Sequence, residues 1–171
     1  AIYESLLEVY LEKFQNQKEQ AIKEHEDKEK NKISFYGNDL LLNGFSEIHE
    51  NFTNAKFNTN TNWNYETLKN ELEISSKENT LHHKVVFMFD QNLHLSTSEY
   101  KKIIDLCKEH EIYILLPNEQ TNFDISKIEN VTFLNFYKEL QEHSEYVRKD
   151  GIHLTEEGNT ALSTFLKENL Q

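Results

Sequence analysis

Asp150 and His153 stand three residues apart in RKDGIHLTEEGNTAL, residues 148–162, and a helix start follows at once. At this spacing the carboxylate can accept a hydrogen bond from the imidazole Nδ1–H. That fixes the tautomer and leaves Nε2 free as a base. Such a pair forms the acid and base arm of a hydrolase that works through a nucleophile. The same residues also describe an ordinary capped helix. Thr155 can cap its N-terminus, Glu156 and Glu157 suit the positive end of its dipole, and Gly151 permits a tight turn. D-x-x-H is a weak signal alone, so position in the fold has to decide between the readings.

That position follows from the alternation of patterns. KVVFMFD (84–90) is continuous enough for a strand buried on both faces. ISFYG (33–37), AKFNT (55–59), EIYILL (111–116) and VTFLN (131–135) read as further strands. Helical stretches alternate with them at about 64–78, 97–110, 136–142 and 156–170. This order predicts a parallel sheet with helices on both faces. Ligands of such sheets bind beyond the carboxyl ends of the strands. The stretches to watch are therefore Gly37 to Leu40, Thr59 to Trp63, Asp90 to Asn92, Leu116 to Asn118, and the DGIH loop. Ahead of the first strand, Ile2, Leu6, Val9, Tyr10 and Phe14 repeat at helical spacing, and a highly charged run follows that reads as a solvated helix end or linker. Residues 1–32 are thus expected to form a helix and charged stem, and 33–171 a single domain.

The chain has 171 residues, enough for one full core, with 30 acidic and 18 basic side chains and a net charge of −12. That field argues against a general nucleic-acid or anionic-membrane surface, although it leaves room for a local basic patch. The single cysteine, Cys107, cannot form an intrachain disulfide, and its helical neighbours point to a structural thiol. No zinc-type Cys/His spacing, bilayer-length apolar run or signal-peptide pattern is present. The sequence opens within a helical pattern, as a fragment of a longer protein would.

With FYGNDLL after the first strand, MFDQNLHL after the third and DGIHLTEEG before the last helix, the sequence resembles the SGNH (GDSL-like) hydrolase superfamily. It is most similar to the extracytoplasmic domain of membrane-bound peptidoglycan O-acetyltransferases of Gram-positive bacteria, staphylococci in particular. The resemblance covers roughly residues 33–170. It implies a three-layer α/β/α sandwich of flavodoxin-like type around about five parallel strands. It implies that Asp150 and His153 occupy the acid and base positions of a Ser-His-Asp triad. Asn92 then matches the oxyanion-binding Asn of the third block, and Asn62 lies at the second block, where the family uses a Gly N–H. The family's first block reads Gly-Asp-Ser, whereas here it reads Gly37-Asn38-Asp39, with Asp39 at the nucleophile position. Asp90 stands where the third block has Gly, and with Asn38, Asn62 and Asn92 it is expected among the oxyanion-binding or ligand-binding residues.

These departures have physical consequences. Asn62 can still offer a backbone N–H. Asp39 removes the hydroxyl that His153 would deprotonate and puts negative charge where an oxyanion must accumulate. A carboxylate can act as a nucleophile, but attack on an ester would leave a mixed anhydride. No other serine replaces it: Ser34 falls within a strand, Ser46 on a following helix, and Ser96 or Thr97 reads as a helix cap. Among the histidines, His82 and His83 read as surface, and His94 lies nearer the site face. Pairing of Asp39 with a protonated His153 is favoured over a divalent cation held by Asp39, Asp90, Asp150 and His153, so no metal and no cofactor are expected. Trp63 and Tyr65 could stack on sugar faces or pack onto the fold.

The expected function is a catalytically degenerate SGNH-like domain of a cell-envelope acyltransferase-type membrane protein, acting as a binding or structural module. An active O-acetyltransferase or esterase with an unusual nucleophile or activated water is the first alternative, and a metal-dependent hydrolase the second. The resemblance implies an extracytoplasmic location and tethering through a membrane part outside this sequence. It implies cell-wall glycan, or an acyl donor delivered by a membrane domain, as partner, and no nucleic acid.

Overall fold

The computed structural model describes residues 2–116, 118 and 127–171; Pro117, within one of the loops singled out above, lies outside them. The chain divides into two compact units, one ending at Asn31 and the other running Lys32–Gln171. In the first, α1 (Ile2–Lys30) is a single helix without a buried residue. The charged run therefore continues the helix to Lys30. Its Glu and Lys residues are good helix formers, and no Gly or Pro interrupts it. No helix among the described residues is long and apolar enough to cross a membrane.

The second unit is a three-layer α/β/α sandwich. In chain order it comprises β1 (Ile33–Gly37), α2 (Asp39–Asn43), α3 (Phe45–Asn51), β2 (Lys56–Thr59), α4 (Tyr65–Lys77) and β3 (Lys84–Met88). There follow α5 (Thr97–Leu106), β4 (Glu111–Leu115), β5 (Val131–Leu134), α6 (Tyr137–Glu142), a 3₁₀ turn (Ser144–Tyr146) and α7 (Glu156–Leu170). All strand pairs are parallel, in the order β2-β1-β3-β4-β5. The order reverses at β1, which opens a crevice between the loops leaving β1 and β3.

Strand periodicity divides the core in two. On β3, Val86 and Met88 face one layer, where Phe35, Leu41, Ile48, Leu162 and Leu166 gather. Val85 and Phe87 face the other, with Tyr36, Leu68, Leu72, Ile103 and Cys107. α3 packs on α7 on the first face and α4 on α5 on the second. Each fully buried Leu, Ile or Phe contributes roughly 1.5–3 kcal/mol. Both faces of β3 are thus covered, which explains its unbroken apolar run.

Helix ends follow local chemistry. Ser96 caps α5 in a reciprocal capping box with Glu99, and Thr155 Oγ1 accepts from Gly158 N at the start of α7. α5 stops at Leu106, four residues short of the spacing-based expectation, with Cys107 as its C-cap. Lys84 Nζ donates to Leu170 O at 2.6 Å and so satisfies the C-terminal end of α7. Gly37 has no room for a side chain: a Cβ there would overlap Leu41 and approach Met88 O to 2.8 Å. Close passage of β1 past β3 and α2 therefore requires glycine directly before Asn38 and Asp39.

Candidate functional site

The DGIH loop is built as a small hairpin ahead of α7. Val147 and Leu154 form an isolated antiparallel bridge, Arg148 N donates to His153 O at 2.8 Å, and Gly151 N donates to Arg148 O at 3.0 Å. Gly151 takes the turn at φ +74°, which favours glycine. Thr155 fastens the hairpin to the 3₁₀ turn: its N–H donates to Tyr146 O at 2.9 Å and its Oγ1 to Glu145 O at 2.7 Å. Gly158 lies so close to Tyr146 O that a Cβ would overlap it.

Asp150 is the node of this loop. Its Oδ1 accepts from Ile152 N and His153 N, both at 2.9 Å, and its Oδ2 accepts from His153 Nδ1 at 2.6 Å. A carboxylate can only accept, so Nδ1 carries the proton and Nε2 points away as the free nitrogen. Nε2 lies 3.9 Å from Asp39 Oδ2, within ion-pair reach and beyond a hydrogen bond. The His153 and Asp39 side chains are 29% and 26% exposed, so solvent and ligands reach both. The hydrogen bond from His153, followed by the two backbone N–H donors, holds the Asp150 carboxyl down at about 2. The same bond is the largest cause raising the His153 pKa above its ordinary value. Desolvation acts against it, and the charges of Asp150, Asp39 and Asp90 add to it.

The first and third blocks meet through one pair. Asn38 Nδ2 donates to Asp90 Oδ1 at 2.8 Å, and Asp90 N donates to Asn38 Oδ1 at 3.0 Å. Both residues are buried, at 3% and 5% exposure. Asn38 Oδ1 also accepts a long bond of 3.5 Å from Leu40 N as the cap of α2, and Asp90 Oδ1 accepts from Asn92 N at 2.9 Å. Both polar atoms of the buried Asn38 amide are therefore engaged within the fold, Nδ2 with Asp90 and Oδ1 with Asp90 N and Leu40 N. The buried Asp90 carboxylate is thus paired with an amide rather than with a second carboxylate.

The second block is tied down in a comparable way. Asn62 N donates to Asn60 Oδ1 at 2.8 Å, an Asx turn that occupies the N–H expected to bind an oxyanion. Asn60 was not singled out from the sequence, although the Asn-Thr-Asn spacing is a signature of such a turn. Asn60 N and Trp63 Nε1 both donate to Gly37 O at 3.1 Å, which pins the loop after β2 to the end of β1. Trp63 is half-buried by this bond and packs against the core, while Asn62 and Asn92 are exposed.

The structure thus brings Asp39, Asp150 and His153 into one crevice at the carboxyl ends of the strands. The loops bearing Asn62 and Asn92 join it through Gly37 and the Asn38–Asp90 pair. Ser34, within β1, accepts from His82 N at 3.1 Å and is buried, and Ser46 lies on α3. His83 pairs with Glu111 at 2.9 Å, and His94 is exposed.

No family model and no curated protein matches the chain. Solved structures do share its fold. The C-terminal catalytic domain of Streptococcus pneumoniae peptidoglycan O-acetyltransferase A, determined with a methylsulfonyl adduct, superimposes with a TM-score of 0.61 at 14% identity, over 81% of this chain and 89% of that one. A Streptococcus pneumoniae protein provisionally described as a platelet activating factor superimposes with a TM-score of 0.54 at 20% identity, over 81% and 83% of the two chains. The chain therefore has the SGNH-like α/β/α fold, as its motifs suggested.

Proposed function

We propose that this chain is an SGNH-like domain of acyltransferase type that has lost acyl transfer and works as a binding or structural module at the cell envelope. The observation that carries the reading is Asp39. Its carboxylate occupies the nucleophile position, 3.9 Å from the free nitrogen of a His–Asp pair that is otherwise well formed. Acyl transfer needs a hydroxyl there and positive or dipolar stabilisation beside it; this chain offers a negative charge. The engaged Asn62 N–H supports the reading, because an oxyanion would find that donor taken. Likeness in fold to a peptidoglycan O-acetyltransferase catalytic domain supports cell-wall glycan as ligand, and the extracytoplasmic setting with a membrane tether outside this sequence rests on the sequence resemblance.

The test is hydrolysis of 4-nitrophenyl acetate by the wild-type domain and by His153→Ala. Equal rates at the uncatalysed background are expected. A wild-type rate clearly above that of His153→Ala would overturn the loss of activity. Glycan binding is read separately, through the fluorescence of Trp63 on titration with muropeptides. Saturable quenching supports the binding module, and an unchanged spectrum together with no heat by calorimetry removes it.

A further inference from the structure

Basic side chains are the minority in this chain, 18 against 30 acidic, yet several gather on one flank of the domain. A cavity of about 720 Å³ is lined by Lys69 of α4, by Thr97, Ser98, Lys101 and Lys102 of α5, and by Lys127. Asp105 is the one carboxylate among the described residues that line it. A second cavity of about 570 Å³ shares Lys101, Asp105 and Lys127 and adds Lys108, His110 and one further carboxylate, Glu129. Through the three shared residues the two cavities adjoin each other on this flank.

The arrangement along α5 concentrates positive potential. Thr97 and Ser98 are the first two residues of a ten-residue helix, and Lys101 and Lys102 follow each at i+4. Long helical side chains lean toward the N-terminus, and Lys101 and Lys102 line the cavity together with Thr97 and Ser98 of the first turn. The positive end of the helix dipole lies there as well, with the Glu99 N–H taken by the Ser96 cap and the Glu99 carboxylate accepting from Ser96 N. Lys69 approaches Glu73 at 4.0 Å and lies 5.9 Å over the Tyr65 ring. Such exposed contacts hold a lysine only weakly.

We propose that these adjoining cavities bind the phosphate groups of a flexible, base-free polyanion. Their combined extent suits successive charges on one chain. The described lining offers lysine charges, which suit phosphates, while the Tyr65 ring under Lys69 packs against the core. A flat anionic bilayer would meet the rest of a surface with net charge −12, whereas a single chain can follow the cavities and avoid it. This site is separate from the Asp39–His153 crevice and stands whether or not acyl transfer survives.

The probe is fluorescently labelled inorganic polyphosphate, titrated into the wild-type protein and followed by anisotropy. Lys101→Gln/Lys102→Gln/Lys127→Gln is expected to weaken binding at least about tenfold. Lys18→Gln/Lys23→Gln/Lys28→Gln, on α1, is expected to change it less than about twofold. With four phosphate contacts, a rise from about 50 to 200 mM salt weakens binding about 50-fold. Amide shifts of Thr97 to Lys102 on the wild-type protein locate the contact without any variant. Absence of binding at about 50 mM salt, shifts confined elsewhere, or equal losses in both triple variants would overturn the proposal. So would equally tight binding of single-stranded homopolymer RNA or of phosphatidylglycerol vesicles.

Discussion

Replacing Asp39 by Ser is the sharpest perturbation of the crevice. Asp39 acts against ester hydrolysis in two ways. It supplies no hydroxyl, and its charge opposes the developing oxyanion. At about 4 Å and an effective dielectric of about 20, that opposition is about 4 kcal/mol, or roughly a thousandfold in rate. Asp39→Asn removes the charge without adding a nucleophile, whereas Asp39→Ser does both. Nε2 lies 3.9 Å from Asp39 Oδ2 and a serine Oγ sits one bond nearer the backbone, so the imidazole must shift to reach it and recovery is expected to be partial. Asp39→Ser is expected to raise kcat/KM for 4-nitrophenyl acetate about 100-fold over wild type, with Asp39→Asn at background. Adding Asn60→Ala frees the Asn62 N–H. A single oxyanion donor is worth roughly 10²–10³ in kcat, so at least a further tenfold rise is expected in the double variant. In both serine variants His153→Ala must return the rate to background. The reasoning fails if Asp39→Asn matches Asp39→Ser, or if the gain survives loss of His153.

Other measurements probe the same scaffold. Asp150→Asn removes the largest cause of the raised His153 pKa, so the His153 ring titration followed by NMR should move down. The wild-type pair also shapes stability. Asp150, lowered from 3.8 to about 2, adds stability above 3.8 that is lost as pH falls toward 2. His153, raised above 6.5, adds stability below 6.5 that is lost as pH rises through its folded value. The urea midpoint of Asp150→Asn should therefore fall below wild type most between about pH 4 and 6.5; equal midpoints there would contradict the linkage. Asn38→Asp sets a second carboxylate 2.8 Å from Asp90 in a buried site, so one of the two must stay protonated. Its stability should drop by about 2–4 kcal/mol at neutral pH and recover as pH falls, and a loss independent of pH would refute the repulsion. Burial pushes the Cys107 thiol up to about 12, so Ellman's reagent should label it only as the domain unfolds in urea.

The sequence alone determined the five strands and the helices α4 to α7, because the apolar pattern changes period where the chain passes from sheet to helix. The short α2 and α3 were legible only as the helix expected at Ser46. β3 was legible as a strand buried on both faces, and the caps at Ser96 and Thr155 from residue types alone. The Asp150–His153 bond was legible for the same reason: its partners lie three residues apart, so one loop makes it. The tertiary structure decided every contact across long separations. Asn38 and Asp90, 52 residues apart, read as two unrelated departures from a motif until parallel pairing of β1 with β3 set them side by side. The lysine cluster is of this kind, since Lys69, Lys101 and Lys127 share no local pattern. So is the 3.9 Å gap between Asp39 and His153, which depends on how α2 and the last hairpin pack over one end of the sheet. Local bonds follow from chain geometry within a few residues. The chemistry of the crevice depends on distances that only the folded core sets, because side-chain packing there leaves a single arrangement.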